Sequence, residues 1–190
     1  MTSITRPRTV AFAAGAAVFI LVLTGCAPEE PPVSGAPADS SGPPPFTSKD
    51  AALAAAQATY EGYLAASDII MSEGGANPER LDEFVTPEVA QIEQAGFEDL
   101  ASRGHLLEGR AIIDSISLQS YSPGSSSDVV SAYVCVDVRN VDVVDADGLS
   151  VVESTRAERS AFQATFDLDP ATNSRLRVAS NYAWAGEGVC

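Results

Sequence analysis

Few side chains in this 190-residue chain combine the type and spacing that chemistry requires. His105 is the only histidine, so a zinc site built from several imidazoles is excluded, and any serine or cysteine triad would have to run through it. It follows Gly104 in Ser102-Arg103-Gly104-His105, a helix-to-strand connection where an exposed or capping imidazole is the plain reading. Gly-x-Ser-x-Gly, His-Glu-x-x-His and phosphate-cradling glycine loops do not occur in the sequence. Asp145-Ala146-Asp147-Gly148 hints at a calcium loop, but the EF-hand register would place Val143 at the first ligand and Ser154 where a bidentate glutamate is needed, which leaves a solvated hairpin turn. Neither a metal nor a cofactor is called for. Asp114 is the one carboxylate of catalytic interest, and two registers are open to it. In one it alternates in phase with Ile112, Ile116 and Leu118, where desolvation would favour its neutral form. In the other it meets solvent or an arginine and Ile113 turns to the core.

The elements that must position these groups divide into a helical half and a sheet half. Thr47 or Ser48 caps a long amphipathic helix over about residues 48–72, with Leu53, Ala56, Tyr60, Tyr63, Leu64, Ile69 and Ile70 on one stripe and Gly74-Gly75 as its stop. Asn77-Pro78 starts a short helix over about 78–84, and Thr86-Pro87-Glu88 starts a third over about 87–103 that turns Val89, Ile92, Phe97 and Leu100 inward. The remainder alternates with period two and predicts four antiparallel strands, about 108–121, 128–145, 151–168 and 175–186. In the second, Val130, Ala132, Val134, Val136 and Val138 share a buried face, and the row containing Tyr133 and Cys135 forms an outer face that is solvated or covered by a partner or second copy. The last strand places Leu176, Val178, Tyr182 and Trp184 on one side.

The N-terminus reads as an address. A basic start with Arg6 and Arg8 precedes 14 largely apolar residues, Val10 to Leu23, too few for a permanent span of about 20 residues. Leu23-Thr24-Gly25-Cys26 resembles the lipobox of bacterial lipoproteins, which implies removal of residues 1–25 and a diacylglyceryl lipid on Cys26 that holds the chain on the extracytoplasmic face of the cell membrane. With both leader arginines removed, nine basic residues face 26 acidic ones, a balance of −17. Such a surface repels phosphate backbones and anionic headgroups, so nucleic acid is excluded as a partner and the lipid is the membrane attachment. Lipidation of Cys26 would leave Cys135 and Cys190 in a compartment where thiols are usually oxidised. They either pair with each other, closing a loop worth about 4 kcal/mol, or stay free or bridge two chains. Residues 26–46 carry seven of the twelve prolines and predict an extended tether of up to about 60 Å, which sets the domain at 47–190.

From 48 to 190 the element order, the valine-rich strand before Asp147-Gly148 and the terminal Trp184 and Cys190 make the chain similar to the NTF2-like (cystatin-like) family. The resemblance implies an α+β fold with three N-terminal helices packed on a curved four-stranded antiparallel sheet, enclosing a cavity between sheet and first helix. Some family members, the ketosteroid isomerase and polyketide cyclase types, use a pocket Asp as base. That implies a role for Asp114 with Tyr60, Tyr63, Tyr182 and Trp184 about a pocket, although no convergent catalytic set is legible. The leading expectation is therefore a non-catalytic envelope lipoprotein that binds a small apolar ligand or a protein. An isomerase- or cyclase-like enzyme and a structural accessory of envelope assembly or secretion are the alternatives. The Cys26→Ser variant is expected to lose fatty-acid label and move from the membrane to the soluble fraction; equal membrane retention of both forms refutes the anchor.

Overall fold

The computed structural model describes residues 44–190. The leader, Cys26 and the tether before residue 44 lie outside the described residues. The fold is α+β, with helices α1 (Lys49–Ser72) and α2 (Pro87–Ser102) and strands β1 (Leu106–Gly109), β2 (Ile112–Tyr121), β3 (Val130–Asp137), β4 (Val141–Val144), β5 (Arg159–Leu168) and β6 (Leu176–Ala183). Four strands make an antiparallel sheet in the order β2-β3-β5-β6, and β1 pairs separately with β4. Among the described residues no helix is long and apolar enough to cross a membrane.

α1 begins where the Ser48 hydroxyl accepts the Ala51 N–H at 3.1 Å, and it ends where Gly74 and Gly75 take left-handed dihedrals. Its inward face begins with Ala52 and Ala56, both fully buried, whose small side chains let the helix lie close to the sheet, and continues with Tyr60 and Ile70, equally sealed. They pack against the inward-facing residues of β3, β5 and β6, with Val130, Ala132, Val134, Ala164, Phe166 and Val178 fully buried. Phe46 belongs to this body and not to the tether. Its ring lies 6.2 Å from that of Tyr121, and the Tyr121 hydroxyl donates to its carbonyl at 2.9 Å.

Two helices form, not three. The expected 78–84 helix is a single 3-10 turn, Pro78–Leu81, because the next residues are drawn to the edge of β6: Val178 N–H donates to Phe84 O at 2.8 Å and Thr86 N–H to Val178 O at 2.9 Å. Pro87 favours the extended backbone at Thr86 that this pairing requires. Gly62 in α1 leaves room for the Phe84 ring, which a Cβ there would meet at 2.2 Å. In α2 the stripe is rotated from expectation. Val89 and Phe97 are buried, but Ile92 is 69% exposed and Glu93 takes the inward position between them.

The two long strands expected at 108–121 and 128–145 are each broken at the same level, into β1/β2 and β4/β3. Gly109 sits at the bend with φ 86°, and a Cβ there would lie 1.7 Å from the Asn140 carbonyl oxygen. Only glycine allows this approach. The third and fourth strands are shorter than expected, starting at Arg159 and ending at Ala183. The segment ahead of β5 braces the bend instead, the Arg156 guanidinium donating to Val138 O at 2.9 Å and Val141 O at 2.7 Å.

Irregular registers decide which side chains face inward. β2 has one between Ile113 and Ser115 and another between Leu118 and Ser120, and the β5/β6 ladder has one where Thr165 pairs with Ser180 but Phe166 with Val178. Each bulge inserts a residue and inverts the alternation beyond it. Beyond β6 the chain folds back over the sheet's outer face, where Cys190 is joined to Cys135 with a Cα–Cα distance of 5.3 Å. Gly109→Ala is expected to lower unfolding free energy by about 2–4 kcal/mol through clash and left-handed strain, whereas Gly124→Ala, with open space around it, should shift it by under about 0.5 kcal/mol, both read by chemical denaturation.

Candidate functional site

The two flanks of α1 carry two different polar arrangements. On the flank facing β2, Glu61, Leu64, Ala65 and Asp68 of α1 meet Arg110, Ala111, Ile112 and Ile113 around a cleft of about 300 Å³. Its walls are mainly apolar. Asp68 is only 6% exposed, and its Oδ2 accepts the Ala111 N–H at 3.1 Å. Ala111 lies in the break between β1 and β2, so the carboxylate partners a backbone N–H at the bend. Burial pushes the Asp68 carboxyl up from the ordinary aspartate range, opposed by that hydrogen bond and by the Arg110 charge.

On the flank facing α2 and β6, four side chains form a directional chain of hydrogen bonds. The Tyr60 hydroxyl donates to Asn181 Oδ1 at 3.0 Å, Asn181 Nδ2 donates to the Tyr63 hydroxyl at 3.5 Å, and that hydroxyl donates to Glu93 Oε1 at 2.7 Å. Desolvation raises both phenol pKa values, and the Glu93 charge raises Tyr63 further, so both remain neutral donors. With Tyr60 fully buried and Tyr63 at 6%, this network is a satisfied interior feature with no room for a ligand on Tyr60.

Of the residues expected around a pocket, Tyr60 and Tyr63 are therefore together, their ring centroids 5.4 Å apart, while Tyr182 and Trp184 are not with them. The β5/β6 bulge turns Asn181 inward against Ala164 and sends Tyr182 and Trp184 to the outer face, where Tyr182 is 69% exposed and the Trp184 ring lies 4.8 Å from Tyr133. Asp114 is also outside. The first β2 bulge gives Ile113 the inward place opposite Val136, and Asp114 accepts from Arg159 at 3.1 Å on the exposed side. Asp114 thus has no place in a water-excluded site. Cys135 and Cys190 are paired, and Cys26 lies outside the described residues.

Asp68, Glu93 and Asn181 escaped sequence reasoning. A signal existed for the first two: Asp68 falls four residues after Leu64 near the apolar stripe of α1, and Glu93 falls midway between Val89 and Phe97. Asn181 had none, because its orientation depends on the bulge. Asp145 serves the hairpin turn, its Oδ1 accepting the Asp147 and Leu149 N–H groups at 2.9 Å each. Among the described residues no group of three or more His, Cys, Asp or Glu is placed to hold a metal ion.

No family model and no curated protein matches the sequence. Among solved structures, the intermembrane-space region of the chloroplast protein ARC6 is similar in fold at 11% identity, with a TM-score of 0.51 over 70% of this chain and 97% of that one. A protein from Catenulispora acidiphila (15% identity, TM-score 0.45, 70% and 93% covered) and Aln2 from a Streptomyces species (16%, 0.44, 73% and 92%) also match.

Because the fold favours the neutral form of Asp68, ionisation there opposes folding. Stability is lost as pH rises from the unfolded value of about 3.9 through the raised folded value, and the deficit persists above it. Asp68→Asn, whose amide oxygen still accepts from Ala111, is expected to unfold at higher denaturant than the parent at pH 7 and to converge with it below about pH 4. A constant difference at both pH values contradicts the assignment.

Proposed function

We propose that this chain is a lipid-anchored, extracytoplasmic binding module of NTF2-like architecture, and that the cleft between α1 and β2 takes a small ligand with an apolar body. The single observation that carries the binding site is Asp68: a buried carboxylate at a mainly apolar cleft of about 300 Å³, a volume at the lower end for small-molecule sites. Leu64, Ile112 and Ile113 supply apolar wall, and Asp68 with Arg110 supplies the few polar groups that orient a ligand. The binding place differs from the one the family resemblance implies. Beneath the sheet, Tyr60 and Phe166 are fully buried, 6.5 Å apart between ring centroids, and fill the space a central cavity would need.

What supports the extracytoplasmic placement is the pairing of Cys135 with Cys190, since such bonds persist where the surroundings oxidise thiols. The lipobox-like Leu23-Thr24-Gly25-Cys26 supplies the anchor in this reading. An isomerase- or cyclase-like enzyme is a second reading, favoured by one observation: the raised carboxyl pKa of Asp68 beside apolar walls suits a general base better than the solvent-facing Asp114 does.

The test uses Nile red, an uncharged apolar dye, as probe. Its emission is expected to rise and saturate with the parent protein, and Ala65→Trp, which fills the cleft from an exposed helix position, should weaken binding by about tenfold or more. Undiminished binding to that variant would place the apolar site elsewhere.

A further inference from the structure

The outer face of the four-stranded sheet has a composition unlike the rest of the surface. Its middle is built from two cross-strand rows, Ser117–Tyr133–Gln163–Tyr182 and Ser120–Ser131–Thr165–Ser180. Neither row contains a charged residue, on a chain with 26 acidic side chains. The formal charges on this face lie beyond the rows: Asp114–Arg159 and Asp137–Arg139 are ion pairs, and Asp167 accepts the Asp128 N–H at 2.7 Å.

Three aromatic rings share this uncharged patch. Tyr182 is 69% exposed, and Tyr133 and Trp184, both half-buried, lean on each other with centroids 4.8 Å apart and planes inclined by 53°. Around them the amides and hydroxyls are already aligned: Gln163 Nε2 donates to Gln119 Oε1 at 2.7 Å, Gln119 Nε2 donates to the Tyr133 hydroxyl at 3.0 Å, and Thr165 and Ser180 share a hydrogen bond of 2.8 Å. The C-terminal tail, joined to Cys135 through Cys190, folds back on this face, with Gly186 against one edge of the Trp184 ring and the Ser115 hydroxyl donating to Val189 O at 3.5 Å.

We propose that this face binds a neutral oligosaccharide. Sugar rings present C–H groups that settle on aromatic faces and hydroxyls that exchange donors and acceptors with amides, and the patch offers both at adjacent positions. Charge selects among occupants. An acidic polymer would be repelled by the surrounding surface, while a basic partner would find no ionic residue to pair with inside the patch. A second copy of this chain fits less well, because stable homodimer interfaces have an apolar core and the space between these rings is occupied by Ser, Thr and Gln. The site lies on the side of the sheet opposite α1 and is independent of the cleft at Asp68.

Trp184 is the only tryptophan, so its emission reports on this face alone. The experiment titrates the disulfide-bonded protein with hexasaccharides of glucose, mannose, galactose and N-acetylglucosamine up to about 10 mM. At least one is expected to shift the emission saturably. Tyr182→Ala, a substitution of an exposed side chain, should weaken that binding by about tenfold at unchanged melting temperature, and Glu98→Gln on the exposed side of α2 should not change it. The proposal is overturned if none of the four sugars changes the emission, if Tyr182→Ala binds as the parent does, or if sedimentation reveals a dimer that Tyr182→Ala dissociates.

Discussion

The contact between α1 and the inner face of the sheet is the constraint from which the remaining features follow. Ala52 and Ala56 allow the helix to approach closely at one end, and Tyr60 fills the interface with Phe166 farther along. Burying these apolar surfaces is the main favourable contribution to folding available to a domain of this size. Once the helix is seated across β3, β5 and β6, its two flanks acquire distinct neighbours: β2 on one side, α2 with the end of β6 on the other. The cleft at Asp68 and the tyrosine network are the two outcomes of that single placement.

Ser67 Oγ, Arg177 Nε and Trp184 Nε1 are buried without a hydrogen-bond partner among the described residues, but two of the buried acids are closely matched. Asp169, fully buried at the β5/β6 turn, receives hydrogen bonds from Arg175 at 2.7 and 3.1 Å and from the Ala171 N–H at 2.9 Å, and the Arg175 guanidinium holds its carboxyl below the usual range. Asp137 is held down to about 2 by hydrogen bonds from Arg139. Asp68 is the contrasting case, a buried acid with a backbone N–H as its hydrogen-bond partner. With no guanidinium bonded to it, its carboxyl is pushed up by burial and not held down as those of Asp169 and Asp137 are.

The helical half was largely legible in the residues. Ser48, Gly74-Gly75, Pro87 and Gly104 are punctuation that acts locally, and α1 and α2 begin and end close to where those residues indicate. The short middle helix failed because its fate depended on a distant strand: Phe84 and Thr86 bond to Val178 on β6. Strand faces failed for a related reason. Val130, Ala132, Val134 and Val136 kept their phase, but each bulge in β2 and the one in β6 shifts alternation by a residue, and nothing near Asp114 or Ala179 announces it. Tyr182, Trp184 and Asp114 therefore face away from the core, and Asn181 faces into it. Pairing of Cys135 with Cys190 was one of the outcomes that the cysteine number allowed, and it does not depend on strand register.

The cystine has a mechanical meaning as well. It closes a covalent ring between cysteines 55 positions apart, and β5 and β6 lie wholly within it. A pull entering from the N-terminal side would reach Phe46 and its clasp on Tyr121 first, then peel α1, α2 and β2 away in turn. At Cys135 the extension would halt, since the polypeptide beyond that point can loosen but cannot be drawn out into a line. Under such a load the last two strands would be kept as a rope keeps its final knot.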